Sequence, residues 1–176
     1  METLPLDRSR WPVVALVASL AMLATAHAFE RLLYLAPCAL CYNQRQIYWA
    51  AAGIALIGVL GVWRGANPRM LLAINLLLAV AFLTGAGVAA YHAGVEWKWF
   101  PAPPCAASTK GISGDLFEQL GQRIAVPSCD DARWRMLGLS MAGWNVLVSA
   151  GLAGLSLLAT FRPGFVRADT NNETNA

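Results

Sequence analysis

The chain has 176 residues, of which 57% are hydrophobic and only 13% charged, and its mean hydropathy is +0.50. Soluble domains carry about a quarter charged residues, so this composition excludes an ordinary water-soluble domain and points to one integral membrane domain, mostly helical. A net charge of +3, spread over short segments, reads as a topology signal and excludes a nucleic-acid-binding surface.

In chain order, Met1 to Arg10 is a short polar leader with Arg8 and Arg10 just before the first apolar run. Residues 11–29 contain no charge and, as helix, span about 28 Å, enough for a hydrocarbon core. His27, near the far end, reads as an interfacial histidine. Ala26-His27-Ala28 also fits a signal-peptide cleavage site, but the run is longer than a usual signal core. Residues 30–45 form the first exterior loop. A second span covers residues 46–63, and Arg64-Gly65-Ala66-Asn67-Pro68-Arg69 is a tight turn with two arginines and no acid. The third span covers residues 70–91; Gly85, Ala86, Gly87, Ala89 and Ala90 allow close helix contact, and Asn75 is expected to bond a neighbouring helix.

Residues 92–135 form the second exterior loop, which His92 opens at the outer end of the third span. Trp97, Trp99 and Phe100 predict an aromatic anchor at the membrane surface. Pro101, Pro103 and Pro104 then force an extended approach to Cys105. Ile112, Leu116, Leu120 and Ile124 recur at helical spacing, which predicts a short interfacial helix. Cys129 sits among Pro127, Ser128, Asp130 and Asp131, in what reads as a solvated turn. The fourth span covers residues 136–161, with Trp144 and Asn145 read as packing residues, and a polar tail follows. Residues 1–10, 64–69 and 162–176 hold six of the 13 Lys and Arg in about 31 residues; the cysteine loops, with the second counted from Glu96, hold seven in about 56. That density bias favours both termini in the cytoplasm and all four cysteines outside.

The chemistry centres on Pro37-Cys38-Ala39-Leu40-Cys41-Tyr42-Asn43-Gln44-Arg45. Two thiols at Cys-x-x-Cys spacing can switch between disulfide and dithiol. A helix beginning near Cys41 would point its amides at the sulfur, and Arg45, four residues on, would add a fixed cation on the same face; both favour a thiolate. A second pair, Cys105 and Cys129, stands in a separate loop on the same membrane face, an arrangement that suits an electron relay. A bridge between these two would close a loop of about 25 residues, worth roughly 3.5 kcal/mol, which equally suits a structural disulfide. Four cysteines allow three connectivities. Zinc is a competing use, but only Cys38 and Cys41 have close zinc-ligand spacing.

The ordered set of Cys38, Cys41, Arg45, His92, Cys105 after its proline-rich lead, Cys129, Trp134 to Met141, and Trp144-Asn145 resembles the disulfide bond formation protein B (DsbB) family of bacterial inner-membrane thiol oxidoreductases. The resemblance covers the whole chain. It implies an all-α, four-helix transmembrane bundle with a short interfacial helix in the second periplasmic loop and all four cysteines periplasmic. It further implies that Cys105 accepts the thiolate of a DsbA-like periplasmic oxidant of thioredoxin fold. Cys129 then attacks Cys38, and Cys41 forms a charge-transfer contact with ubiquinone beside Arg45. His92 lies near the quinone ring; menaquinone is an alternative, no metal is implied, and a monomer suffices. To Tyr42, Asn43 and Gln44 the resemblance assigns nothing. Two other readings compete. A vitamin K epoxide reductase-like protein would carry its Cys-x-x-Cys late, in a final helix, whereas here it precedes the second span. A membrane assembly factor with two structural disulfides would keep both bridges oxidised whatever the quinone supply.

Overall fold

A computed structural model describes residues 7–101, 129–132 and 134–161. Four helices organise it: α1 (Trp11–Leu32), α2 (Ala39–Trp63), α3 (Pro68–Glu96) and α4 (Met141–Phe161). All four are long and apolar enough to cross a membrane, so the protein is a four-helix, multi-pass membrane protein. The first three helices run past the expected crossings. α3, at 29 residues, is about 43 Å long against a hydrocarbon core of about 30 Å. The expected interfacial helix over Ile112, Leu116, Leu120 and Ile124 lies outside the described residues, as does Cys105.

Local chemistry sets the helix ends. Pro12 and Pro68 stand in the first turns of α1 and α3, where a missing N–H costs nothing. Asn67 caps α3 by accepting from Arg69 N at 2.8 Å. α2 closes in a Schellman turn, with Gly65 at φ +71° and Ala66 N donating to Gly61 O at 2.9 Å.

α4 starts at Met141, not at residue 136 where the fourth span was expected. The intervening residues form an antiparallel hairpin, β1 (Arg135–Met136) with β2 (Leu139–Ser140), pairing Arg135 with Ser140. Leu137 and Gly138 turn it with φ +53° and +83°, both positive as a two-residue primed turn requires. Ser140 then caps α4, its Oγ accepting from Gly143 N at 3.1 Å.

The core is layered between helices that approach closely at small residues. A Cβ on Gly58 would stand 2.8 Å from Pro12 and 3.0 Å from Ile74, so glycine is what lets α1, α2 and α3 meet there. Around that crossing pack Trp11, Ala15, Ala55, Leu78, Phe82 and Leu152. With lipid outside, such packing rather than water exclusion holds helices together. At the N-terminal end, Trp11 Nε1 donates to Ser156 Oγ at 2.9 Å, and Arg8 Nε donates to the carbonyl of Thr160 at 3.1 Å. Asn75 Nδ2 reaches Arg8 O at 3.1 Å; its partner is thus the segment before α1 rather than a neighbouring helix.

Candidate redox site

The opposite end of the bundle holds the cysteines. Pro37 disfavours helix in the residue before it, and α2 starts at Ala39, two residues earlier than the sequence reading placed it. Cys38, with extended backbone, is therefore itself the N-cap: its Sγ accepts from Cys41 N at 3.3 Å. The helix-start amide expected to serve Cys41 serves the sulfur of Cys38. The two sulfurs lie 2.7 Å apart, within reach of a disulfide. Cys38 is 5% exposed. Its hydrogen bond with Cys41, and then burial, push its thiol up to about 12, against the opposing effect of His92. In the dithiol state Cys38 keeps its proton at neutral pH.

Arg45 lies on the wall of the same site, but its guanidinium is already engaged. It forms an ion pair with Glu30 and donates to Ala26 O at 3.0 Å, both on α1. The charge expected to act on Cys41 alone is thus shared with a carboxylate that sequence spacing does not connect to it. His92 belongs to the buried last turns of α3, not to a loop. Its Nε2 is 3.6 Å from Cys38 Sγ, and its Nδ1 is 3.0 Å from Gln44 Nε2.

Cys129 is 1% exposed, which corrects the solvated turn expected around it. Lys98, just beyond α3, pairs with Asp130 Oδ2 at 2.5 Å and reaches Asp130 O at 3.2 Å, drawing that segment onto the helix end. Cys129 then packs in one apolar cluster with Cys38, Leu40 and Val95, with Cys41 against it.

Beside the sulfurs opens a cavity of about 300 Å³. Met22, Leu23, Phe29, Trp134 and Met141 give it apolar walls, and Arg45, His92, Glu96 and Asn145 supply its polar points. Phe29 and Trp134 meet edge to face, with ring centroids 5.1 Å apart. Apolar faces with a few convergent polar groups are the usual lining of a small-molecule site. Cys38, Cys41 and His92 also bring three metal-ligating atoms within 4.8 Å of one another, one fewer than a closed zinc site takes.

A family model described as "Disulfide bond formation protein DsbB" matches residues 8–159. The chain belongs to the DsbB family. It is 33% identical to Disulfide bond formation protein B of Dechloromonas aromatica (strain RCB) over 164 residues, covering 90% of this chain and 93% of the relative. The protein of that name from Marinobacter nauticus is 33% identical over 162 residues, covering 88% and 93%. That from Verminephrobacter eiseniae is 32% identical over 168, covering 90% of each.

Against this DsbB-family background, five of the six expected site residues are described: Cys38, Cys41, Arg45 and His92 line one cavity, and Cys129 packs in a cluster with Cys38 and Cys41. Cys105 lies outside the described residues. Sequence reading missed Gln44, Tyr48, Asn145 and Ser149, which form a buried polar chain behind His92, and Glu96. A signal was available for two of them: Asn145 and Ser149 are uncharged polar residues within the fourth apolar run, and intramembrane polar groups tend to be paired and functional.

Proposed function

We propose that this DsbB-family protein reoxidises a DsbA-like periplasmic oxidant by thiol–disulfide exchange and passes the electrons to membrane ubiquinone, sustaining disulfide formation in the periplasm. The observation that carries this reading is the packing of Cys129, from the second cysteine loop, against Cys38 at the rim of an apolar cavity. Exchange requires that contact. The partner's thiolate bonds to Cys105, breaking a Cys105–Cys129 disulfide and releasing Cys129 as thiolate. Cys129 Sγ bonds to Cys38 Sγ, the Cys38–Cys41 bond breaks, and Cys41 leaves with the electron pair. Each step forms one S–S bond and breaks one.

When bound, a quinone supplies a two-electron, two-proton acceptor. Arg45 is the donor that would hold a quinone oxygen, His92 would lie near the ring, and Phe29, Trp134 and Met141 are the apolar groups that would pack against it. Together they would orient the ring beside Cys41 and exclude water. The high potential of DsbA, near −120 mV, calls for such an acceptor. The protein would sit in the bacterial inner membrane, with Arg8, Arg64 and Arg69 on the cytoplasmic side, both termini cytoplasmic, and a monomer sufficient for turnover. With purified protein, a reduced DsbA-like partner and a short-chain ubiquinone, Cys41→Ser is expected to abolish quinone reduction followed by absorbance. Normal turnover in that variant would reject the proposal.

A further inference from the structure

Three helices contribute to a chain of buried hydrogen bonds that ends on the sulfur of Cys38. Tyr48 OH on α2 donates to Asn145 Oδ1 on α4 at 2.6 Å, and Ser149 Oγ donates to the same oxygen at 3.1 Å. With its carbonyl so occupied, Asn145 turns its NH₂ to Gln44 Oε1 at 2.6 Å. Gln44 then has only its own NH₂ to offer His92 Nδ1, at 3.0 Å. A nitrogen that accepts this bond carries no proton, so neutral His92 holds its proton on Nε2. That N–H faces two acceptors on the cavity side: Cys38 Sγ at 3.6 Å and Glu96 Oε1 at 3.7 Å. His92, Gln44, Asn145 and Ser149 are all less than a tenth exposed. A polar chain this long, buried in a membrane protein, is costly unless every member is matched. Each member is matched, and the last one points at a reacting atom.

Resting on the exchange reading above, we infer that His92 is a catalytic residue for Cys38: its Nε2–H donates to the Cys38 sulfur when that sulfur is a thiolate. Gln44 and Asn145 are positioning residues that fix the tautomer. The exchange chemistry needs such a donor. In each cycle the Cys38–Cys129 bond must be broken by a thiolate that bonds to Cys129, so that Cys38 departs with the electron pair. A buried thiolate with no donors is expensive. Cys38 Sγ has two, the Cys41 amide at 3.3 Å and His92 Nε2 at 3.6 Å, which work against the upward push of burial and of the Cys41 thiol. Charge-assisted bonds of this kind are about twice as strong as neutral ones. The other groups facing Cys38 and His92 are Cys41 and Arg45 on α2, Glu96 on α3, and Cys129 and Asp131 from the segment before the hairpin, with Glu30 on α1 paired to Arg45. Glu96 Oε1, at 3.7 Å, is the other acceptor group nearest the same N–H.

The test has two arms, both run on full-length protein in detergent without quinone or partner, so that a failure of the proposed oxidase activity leaves them readable. The chain has 2 histidines, so a His27→Gln background leaves His92 as the only ¹⁵N-histidine signal. The expected spectrum at neutral pH shows a proton-bearing Nε2 and a bare Nδ1, and Gln44→Leu mixes the two tautomers. A proton-bearing Nδ1 in the unmutated site would overturn the assignment. In the second arm, Cys38 is left as the sole thiol by Cys41→Ser, Cys105→Ser and Cys129→Ser, and its alkylation rate is followed against pH. His92→Phe is expected to slow alkylation near pH 8 about tenfold, one pKa unit upward for the thiol. His92→Gln, which keeps an N–H donor, is expected to recover most of the rate, whereas a merely space-filling histidine would show no such recovery. Equal rates in all three proteins would overturn the inference.

Discussion

The two ends of the bundle both bury polar side chains, yet they use them differently. At the N-terminal end, Arg8 and Asn75 are engaged with backbone carbonyls, and Trp11 Nε1 with a serine hydroxyl. There a cation sits at the C-terminus of α4 and neutralises carbonyls that have no helical partner. Those bonds close helix ends and stop there. At the cysteine end the polar groups bond to one another across α2, α3 and α4, and the chain terminates on the Cys38 sulfur beside a cavity. Burial of a polar residue therefore does not mark a site in this protein. What marks it is a hydrogen-bond chain whose last donor is left facing a reactive atom.

Substitutions at each end should separate stability from chemistry. The largest effect is expected from Trp11→Ala, which empties a fully buried position and removes the Ser156 bond: about 3 kcal/mol lost in detergent unfolding, with Cys38 alkylation unchanged once folded. A changed thiol reactivity in the folded variant would mean that the two ends are coupled. Next comes Gly58→Val, where the first added carbon already falls within 3.0 Å of Pro12 and Ile74; about 1–3 kcal/mol of overpacking is expected, read as a lower midpoint. At the cysteine end, Arg45→Ala should leave the unfolding midpoint within about 0.5 kcal/mol, because Glu30 is half-exposed and can be hydrated. It should raise the quinone KM roughly tenfold, the weight of one charge-assisted bond; an unchanged KM would remove Arg45 from the quinone site.

The smallest effect within the working range is that of pH on the reduced protein. Cys38 is raised in the folded state from 9.0 to about 12. The folded protein thus holds a proton that the unfolded chain gives up above about pH 9. This contribution is fully present below that pH and is lost as pH climbs towards 12. The midpoint of the dithiol form should therefore be flat from pH 6 to 8 with respect to this group and fall more steeply in alkali than that of Cys38→Ser. Parallel alkaline profiles would remove Cys38 as the cause.

Much of this was legible in the sequence because it is local. Four uncharged apolar runs and arginine-flanked turns announce four crossings, and Cys38-x-x-Cys41 with Arg45 one turn on announces redox chemistry. What was not legible depends on partners distant in the chain. Arg45 reads as a bare cation until Glu30, 15 residues earlier, is seen against it. Asn145 reads as packing until it meets Gln44, 101 residues away. Cys129 reads as solvated because its neighbours are acidic, yet it packs against Cys38, Leu40 and Val95, with Lys98 reaching Asp130 beside it. The start of α4 was misplaced for a different reason. Residues 136–140 are mostly apolar and continue the hydrophobic run, but a leucine and a glycine with positive φ make them a hairpin.

The most direct measurement is the redox state of the four cysteines in native membranes, read as mass added by a maleimide reagent, with quinone present and with quinone depleted. If electrons pass from the Cys105 and Cys129 pair through Cys38 and Cys41 to quinone, the thiols are oxidised with quinone and accumulate in reduced form without it. Cysteines that stay oxidised in both conditions would contradict the account, leaving two structural bridges and no electron path through Cys38.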